Sequence, residues 1–250
     1  MTTIAKLYNC MTPDWERYRP VLLSDFTARP FVLGLCEPID GTVVLDAGCG
    51  EGYMARQLRQ RGAAKVEGID ISSGMIEAAH AAEQANPLGI SFSLGNVVDL
   101  SRFPDSSFDL VLAVFVFNYL TLNATLTAMS EIRRVLEPCG RFVFSVPHPA
   151  FPFLRAQEPP FFFDRGECGY FSGRDMEFHG RIWRRDGTDV PVRCVHKTFA
   201  DYFLALAKAG FAAMPDVHEL GVTDDHLTLD PDFFGPLVDQ PLHVAFRIVR

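Results

Sequence analysis

The chain has 250 residues, 48% of them hydrophobic, and 31 acids against 23 Lys plus Arg give a net charge of −8. That length and apolar content suit one α/β domain with an added element and exclude disorder. The acidic balance argues against a polyanionic partner, so the basic clusters Arg181 to Arg185 and Arg193 to Lys197 read as solvated faces and nucleic-acid binding is the minor reading. No run approaches the ~18 apolar residues of a membrane span; even Leu110 to Phe117 stops at Asn118. Met1-Thr-Thr-Ile-Ala-Lys6 lacks the basic segment and apolar core of a secretory signal, so the expected location is cytoplasmic. Cysteines 10, 36, 49, 139, 168 and 194 are dispersed, with no Cys-x-x-Cys and no zinc-type histidine spacing, and read as reduced packing residues; no metal site is expected.

Residues 8–35 carry Tyr8, Trp15, Tyr18 and Arg19 ahead of the first predicted strand, 43–47. That strand runs through Asp46 into Gly48, Gly50 and Gly52, and a helix is predicted over 53–61. Glycines at alternate positions let the backbone turn sharply and approach a ligand closely. A carboxylate at Asp46 would repel a pyrophosphate but accept hydrogen bonds from an ammonium group. The next strand, 65–70, ends in Asp70, 20 residues after Gly50, the separation at which a ribose-binding acid stands in nucleoside-binding βαβ units. Cys49 inside the loop reads as loop packing rather than catalysis.

Further apolar runs at 90–94, 108–114 and 141–146 alternate with helical patterns at 73–84 and 122–137. This is the pattern of a doubly wound parallel sheet covered on both faces. Leu122, Leu126, Met129, Ile132 and Leu136 form the predicted core stripe of the 122–137 helix, with Pro138-Cys-Gly140 closing it. Asn118 and Tyr119 follow the fourth strand, at the edge where open α/β sheets bind ligands. Between the fifth strand and the helix near Thr198 lie about 50 residues, too long for an ordinary connection. They hold Phe151, Phe153, Phe161, Phe162, Phe163, Tyr170, Phe171, Phe178 and Trp183. That is enough aromatic surface for an apolar chamber, with most of it expected to be local core. Pro147 and Pro149 flank His148 and restrict its backbone, so His148 is the candidate general base. Thr198-Phe-Ala-Asp201 fits a capping box and Gly210 a helix stop. His196 reads as structural. His179, His218, His226 and His243 are too scattered for a metal site, and Asp224-Asp225-His226 reads as a solvated turn. No internal repeat or low-complexity linker is present.

On Leu45 to Gly52, Gly68 to Ile76, Gly95 to Leu100, Phe108 to Leu112 and Val135 to Phe142, taken in order, the chain resembles the class I S-adenosylmethionine-dependent methyltransferases. The resemblance covers roughly residues 40–147. It implies a Rossmann-like, mostly parallel seven-stranded sheet, with two more strands within 213–220 and 242–249, the last antiparallel, and an aromatic-rich insertion after the fifth strand. One domain is implied: a helical cover over 1–40, a cofactor core over 41–147, a substrate or lid insertion over 148–197, and a C-terminal helix and strands over 198–250. S-adenosyl-L-methionine, leaving as S-adenosyl-L-homocysteine, is the implied cofactor, held by Asp46, Gly48, Cys49, Gly50, Asp70, Ile71, Met75, Asn96, Val97 and Ala113. Asn96 departs from the family's frequent Asp at that place, though its side-chain carbonyl can still accept from the adenine amine. Tyr8, Phe115, Asn118, Tyr119 and Trp183 are the substrate-binding candidates.

The implied activity is methyl transfer to an O, N or C nucleophile of a small molecule, with neither nucleic acid nor membrane as partner and no oligomeric state indicated. Two alternatives stay open. Gly50-Glu-Gly-Tyr-Met-Ala55 with Asp70 also fits a nicotinamide-dependent oxidoreductase. A non-catalytic protein that binds S-adenosylmethionine is the other.

Overall fold

The computed structural model describes Ala5, Asn9 and residues 19–250; Tyr8, Trp15 and Tyr18 lie outside the described residues. Strands β1 (Val43–Ala47), β2 (Lys65–Asp70), β3 (Ser91–Leu94), β4 (Phe108–Val114), β5 (Leu136–Pro147), β9 (Asp216–Leu220) and β10 (His243–Val249) form one sheet in the order β3-β2-β1-β4-β5-β10-β9. The first five pair in parallel, and β10 is antiparallel to both neighbours. Covering both faces explains why β4 and the main run of β5 are nearly continuous in apolar residues. Val111, Ala113, Phe142, Phe144 and Phe246 turn to one face, beneath helices Leu122–Val135 and Phe199–Ala209. Leu110, Leu112, Val143 and Ala245 turn to the other, beneath Arg29–Leu35 and Tyr53–Gln60. The stacked rings of Phe144 and Phe246, 4.5 Å apart, join β5 to β10 at the centre of the first face.

The 122–135 helix differs from its predicted stripe. Thr121 caps it by accepting from the Ala124 N–H, and the buried positions are Thr125, Ala128, Met129, Ile132 and Val135, with Leu122 and Leu126 only half-buried. Small residues at 125 and 128 let the helix lie close to the sheet, which rotates the two leucines outward. Nor does Pro138-Cys-Gly140 close it. The chain is already extended at Leu136, and the tripeptide makes a bulge: Phe108 pairs with Leu136 but Leu110 with Arg141, and Cys139 takes φ 67°. At the 199–209 helix, the Thr198 N–H and hydroxyl both donate to Asp201 Oδ2, and Gly210 ends the helix at φ 93°.

Residues 148–197 are regular structure rather than a loop. After the short helix Phe151–Leu154, strands β6 (Phe161–Asp164), β7 (Glu177–Trp183) and β8 (Asp189–Val195) form an antiparallel sheet in the order β6-β7-β8. β7 alternates, burying Phe178, Gly180 and Ile182 and exposing Glu177, His179 and Arg181. Its inner face packs with Leu22, Leu23, Phe151, Phe234 and Leu237 in a third core, each large side chain contributing about 1.5–3 kcal/mol by leaving water. The small sheet is thereby fixed as a wall facing the carboxyl ends of the parallel strands.

Candidate functional site

A chamber opens at those carboxyl ends, between the glycine loop after β1, the ends of β2 and β4, and the small sheet. The loop is built by the residues that line it. Gly48 sits at φ 85°, and a Cβ there would lie 2.3 Å from Val116 Cγ2, so only glycine allows β1 to turn beneath the segment after β4. The Gly48 and Cys49 N–H groups donate to Ile69 O at 2.7 and 2.9 Å, tying the loop to β2. The Gly50 N–H donates to Asp70 Oδ2 and the Ser72 N–H to Asp70 Oδ1, both at 2.9 Å. Burial raises the Asp70 carboxyl above its ordinary pKa, against the Ser72, Gly50 and Ile71 N–H groups, which lower it.

Asp46 is the electrostatic centre. Its Oδ2 is buried with no hydrogen-bond partner among the described residues. Burial, with Asp70 and Glu51, pushes the carboxyl up to about 7 against the Ala55 N–H and Arg29. Buried acceptors seldom stay unpaired, and a buried acid beside a half-buried one favours a cation, so this half of the chamber fits a ligand bearing an ammonium and a hydroxylated ring. Cys49 is no nucleophile: burial and the acids Asp46, Asp70 and Glu51 hold its thiol protonated.

The structure brings Asp46, Gly48, Cys49, Gly50, Asp70, Ile71, Met75, Asn96 and Val97 into this one chamber with Phe115, Asn118 and Tyr119. Asn96 Oδ1 accepts from the Val98 N–H at 3.2 Å and keeps a second lone pair for a ligand. Ala113 and Trp183 do not line it. Strand alternation turns Ala113 into the core, so that Val114 lines the chamber, and turns Trp183 against Phe162, so that Ile182 does.

His148 is also absent from the lining. Its Nδ1 accepts from the Ala150 N–H at 3.1 Å, so the neutral ring carries its proton on Nε2 and donates to Glu219 Oε1 at 2.7 Å. No lone pair is left for a substrate proton. Burial lowers its pKa, opposed by Glu219. His148→Ala should cost about 1–3 kcal/mol of stability in thermal unfolding, with cofactor affinity within about twofold. A loss of turnover of ~100-fold or more at unchanged stability would restore it as a base.

Ser24, Arg29, Phe161, Phe163, Val192, Arg193 and His243 also line the chamber. Phe161 and Phe163 come from the aromatic run noted in the sequence. Ser24, Arg29 and His243 carried no local signal. Among the described residues no cluster of three His, Cys, Asp or Glu could hold a metal ion, and no helix is long and apolar enough to cross a membrane. Asp224-Asp225-His226 opens a helix instead, with His226 Nδ1 accepting from the Thr223 N–H.

The Methyltransferase domain family matches residues 45–144, from within β1 to Phe144 in β5. Residues 45–144 thus match a methyltransferase domain, and the fold around them is that of S-adenosylmethionine-dependent methyltransferases. The chain is 35% identical over 152 residues to demethylmenaquinone methyltransferase of Symbiobacterium thermophilum, covering 56% of this chain and 54% of that one. It is 34% identical over 136 residues to an uncharacterized protein of Haemophilus influenzae, covering 53% of each. The chain thus spans about half the length of these curated relatives. In fold it is similar to an S-adenosylmethionine-dependent methyltransferase from Mesorhizobium loti, with TM-score 0.67, 24% identity and coverage of 88% of this chain and 96% of that one. It is also similar to the CcbJ methyltransferase from Streptomyces caelestis, with TM-score 0.64, 22% identity and coverage of 99% and 98%.

The chamber suits S-adenosylmethionine better than a nicotinamide dinucleotide, whose pyrophosphate the Asp46 carboxylate would repel. The orphaned Asp46 oxygen fits the methionyl ammonium of S-adenosylmethionine, and Asp70 its ribose. Asp70→Ala should weaken its binding in calorimetric titration by roughly 10–100-fold through loss of a charge-assisted acceptor, while unchanged affinity in a folded variant would remove Asp70 from the site.

Proposed function

We propose that this methyltransferase acts on a small molecule held between the cofactor edge of the large sheet and the β6–β8 sheet. The observation that carries this reading is the chamber itself: its far wall is the apolar inner face of the small sheet, Phe161, Phe163, Ile182 and Val192, fixed by the third core. A chamber so walled suits a compact molecule better than a protein segment or a nucleic acid. Among the relatives, the demethylmenaquinone methyltransferase agrees with this, whereas a ribosomal protein L11 methyltransferase of Burkholderia mallei shows that the domain type also serves macromolecules.

Asp46 would take the methionyl ammonium, Asp70 the ribose hydroxyls, and Asn96, Ile71 and Val97 the adenine region. When bound, the cofactor supplies an electrophilic methyl group on a sulfonium centre. The chain's own contribution is positional. Asn118, buried with its Oδ1 unpartnered, and Tyr119 orient the acceptor, while the aromatic walls exclude water. His148 supplies no base.

The test is incubation of the protein with methyl-labelled S-adenosylmethionine and a cell extract divided by size. The expected outcome is label in the low-mass fraction. Label confined to protein or nucleic acid would overturn the small-molecule assignment, and tight cofactor binding with label nowhere would favour a binding protein without turnover.

A further inference from the structure

His243 opens β10, opposite Pro147 of β5 and Leu220 of β9. Because β10 is antiparallel, its first residue lies at the edge where the parallel strands end, and the buried imidazole enters the chamber wall. Its Nε2 lies 3.1 Å from Thr27 Oγ1, and the Thr27 hydroxyl already donates to Leu23 O at 3.0 Å in its own helical turn. Oγ1 therefore has only lone pairs to offer. Nε2 must carry the imidazole proton, and Nδ1 is the bare nitrogen. That Nδ1 is buried and has no hydrogen-bond partner among the described residues. Thr27, which takes Nε2, is outside the lining, whereas Phe115 and Phe161, in ring contact with His243 at 5.1 and 5.9 Å, belong to it.

The charges nearby fix what kind of donor completes this nitrogen. Arg29 is bonded to Asp25 Oδ1 and Arg193 to Glu177, so both guanidinium groups in the wall already have carboxylate partners. Burial, Arg29 and His148 push the His243 pKa down to about 3, which keeps the ring neutral. A cationic amine would meet Arg29 at close range in a buried site, and an anion would bring no proton for Nδ1 to accept.

We propose that His243 Nδ1 is a substrate-recognition acceptor, taking a hydrogen bond from an uncharged hydroxyl on an otherwise apolar, ring-sized substrate. This inference rests on the small-molecule reading above and names the substrate class for the same chamber.

Phenol and toluene, which differ by that hydroxyl, are the probes. They are titrated into wild type, His243→Phe and His243→Asn while the histidine ring nitrogens are followed by ¹⁵N NMR. Wild type should prefer phenol by about tenfold, and His243 should show a protonated Nε2 and a bare Nδ1 that responds to phenol and not to toluene. His243→Phe keeps ring volume and orphans no donor, since Thr27 still bonds Leu23; its preference should fall to about one. His243→Asn, with an amide oxygen near the former Nδ1, should recover part of it. An equal phenol preference in wild type and His243→Phe would overturn the proposal, and so would a proton on Nδ1, which is read on wild type and needs no variant to fold. Cofactor titration separates the two claims: failure to bind S-adenosylmethionine sinks the proposed function, while cofactor binding without phenol preference sinks only the role of His243.

Discussion

The affinity of the protein for S-adenosylmethionine should rise by about tenfold per pH unit from pH 5 towards 7 and then level off. Asp46, held up to about 7 chiefly by burial, must be ionised to accept the methionyl ammonium, and a free α-amine stays protonated to roughly pH 7.7. Protonated Asp46 dominates at pH 5, so cation binding there pays for removing a proton. Linkage gives a second, opposite slope for the ligand-free protein. A folded pKa raised above the ordinary carboxylate value contributes stability that is complete in acid and is lost as pH climbs through about 7. The cofactor-induced rise in Tm should therefore be larger at pH 7 than at pH 5. Asp46→Asn should flatten the affinity profile and weaken binding at pH 7. A profile of the same slope in Asp46→Asn would show that another group carries the effect, with Asp70, also raised by burial, the first suspect.

Gly48→Ala should cost about 2–4 kcal/mol of stability in urea unfolding and abolish measurable cofactor binding. Two causes add. The φ of 85° is left-handed backbone, and the new methyl would stand 2.3 Å from Val116 Cγ2. Adding Val116→Ala should relieve the contact and leave the backbone penalty, about 1–2 kcal/mol. If the second substitution recovers nothing, the close approach of the loop to the segment after β4 is not what Gly48 serves.

How far the sequence could be read follows from where each signal lies. β1 and β4 were legible because doubly covered parallel strands are nearly continuous apolar runs, and β2 because it ends in Asp70 at a fixed distance from the glycine loop. Asp46 and Asp70 were legible because the glycine loop and the spacing between them are local. Ala113 and Trp183 each missed the chamber by one position, since strand period alone does not say which face a residue takes. Leu122 and Leu126 lost the core to Thr125 and Ala128 because close packing, not side-chain size, sets the helix's rotation. Two prolines beside His148 fix its backbone, yet Glu219, 71 residues on in β9, decides what its ring can do. His243 was hidden for the converse reason: it has no motif, and its place at the ligand edge comes from the reversed direction of β10. The small sheet escaped notice because β7 places a glycine between Phe178 and Ile182, which masks its alternation.

Asp46, Asp70 and the glycine loop between them are the groups expected to hold S-adenosylmethionine. Calorimetric titration at pH 7 of the wild type and of Asp46→Asn/Asp70→Asn, each against S-adenosylmethionine and NAD, tests this directly. The expected result is one S-adenosylmethionine bound per wild-type chain, no heat with NAD, and affinity reduced by at least ~100-fold in the folded double variant. Binding of NAD instead, or S-adenosylmethionine binding equally well in the double variant, would contradict it.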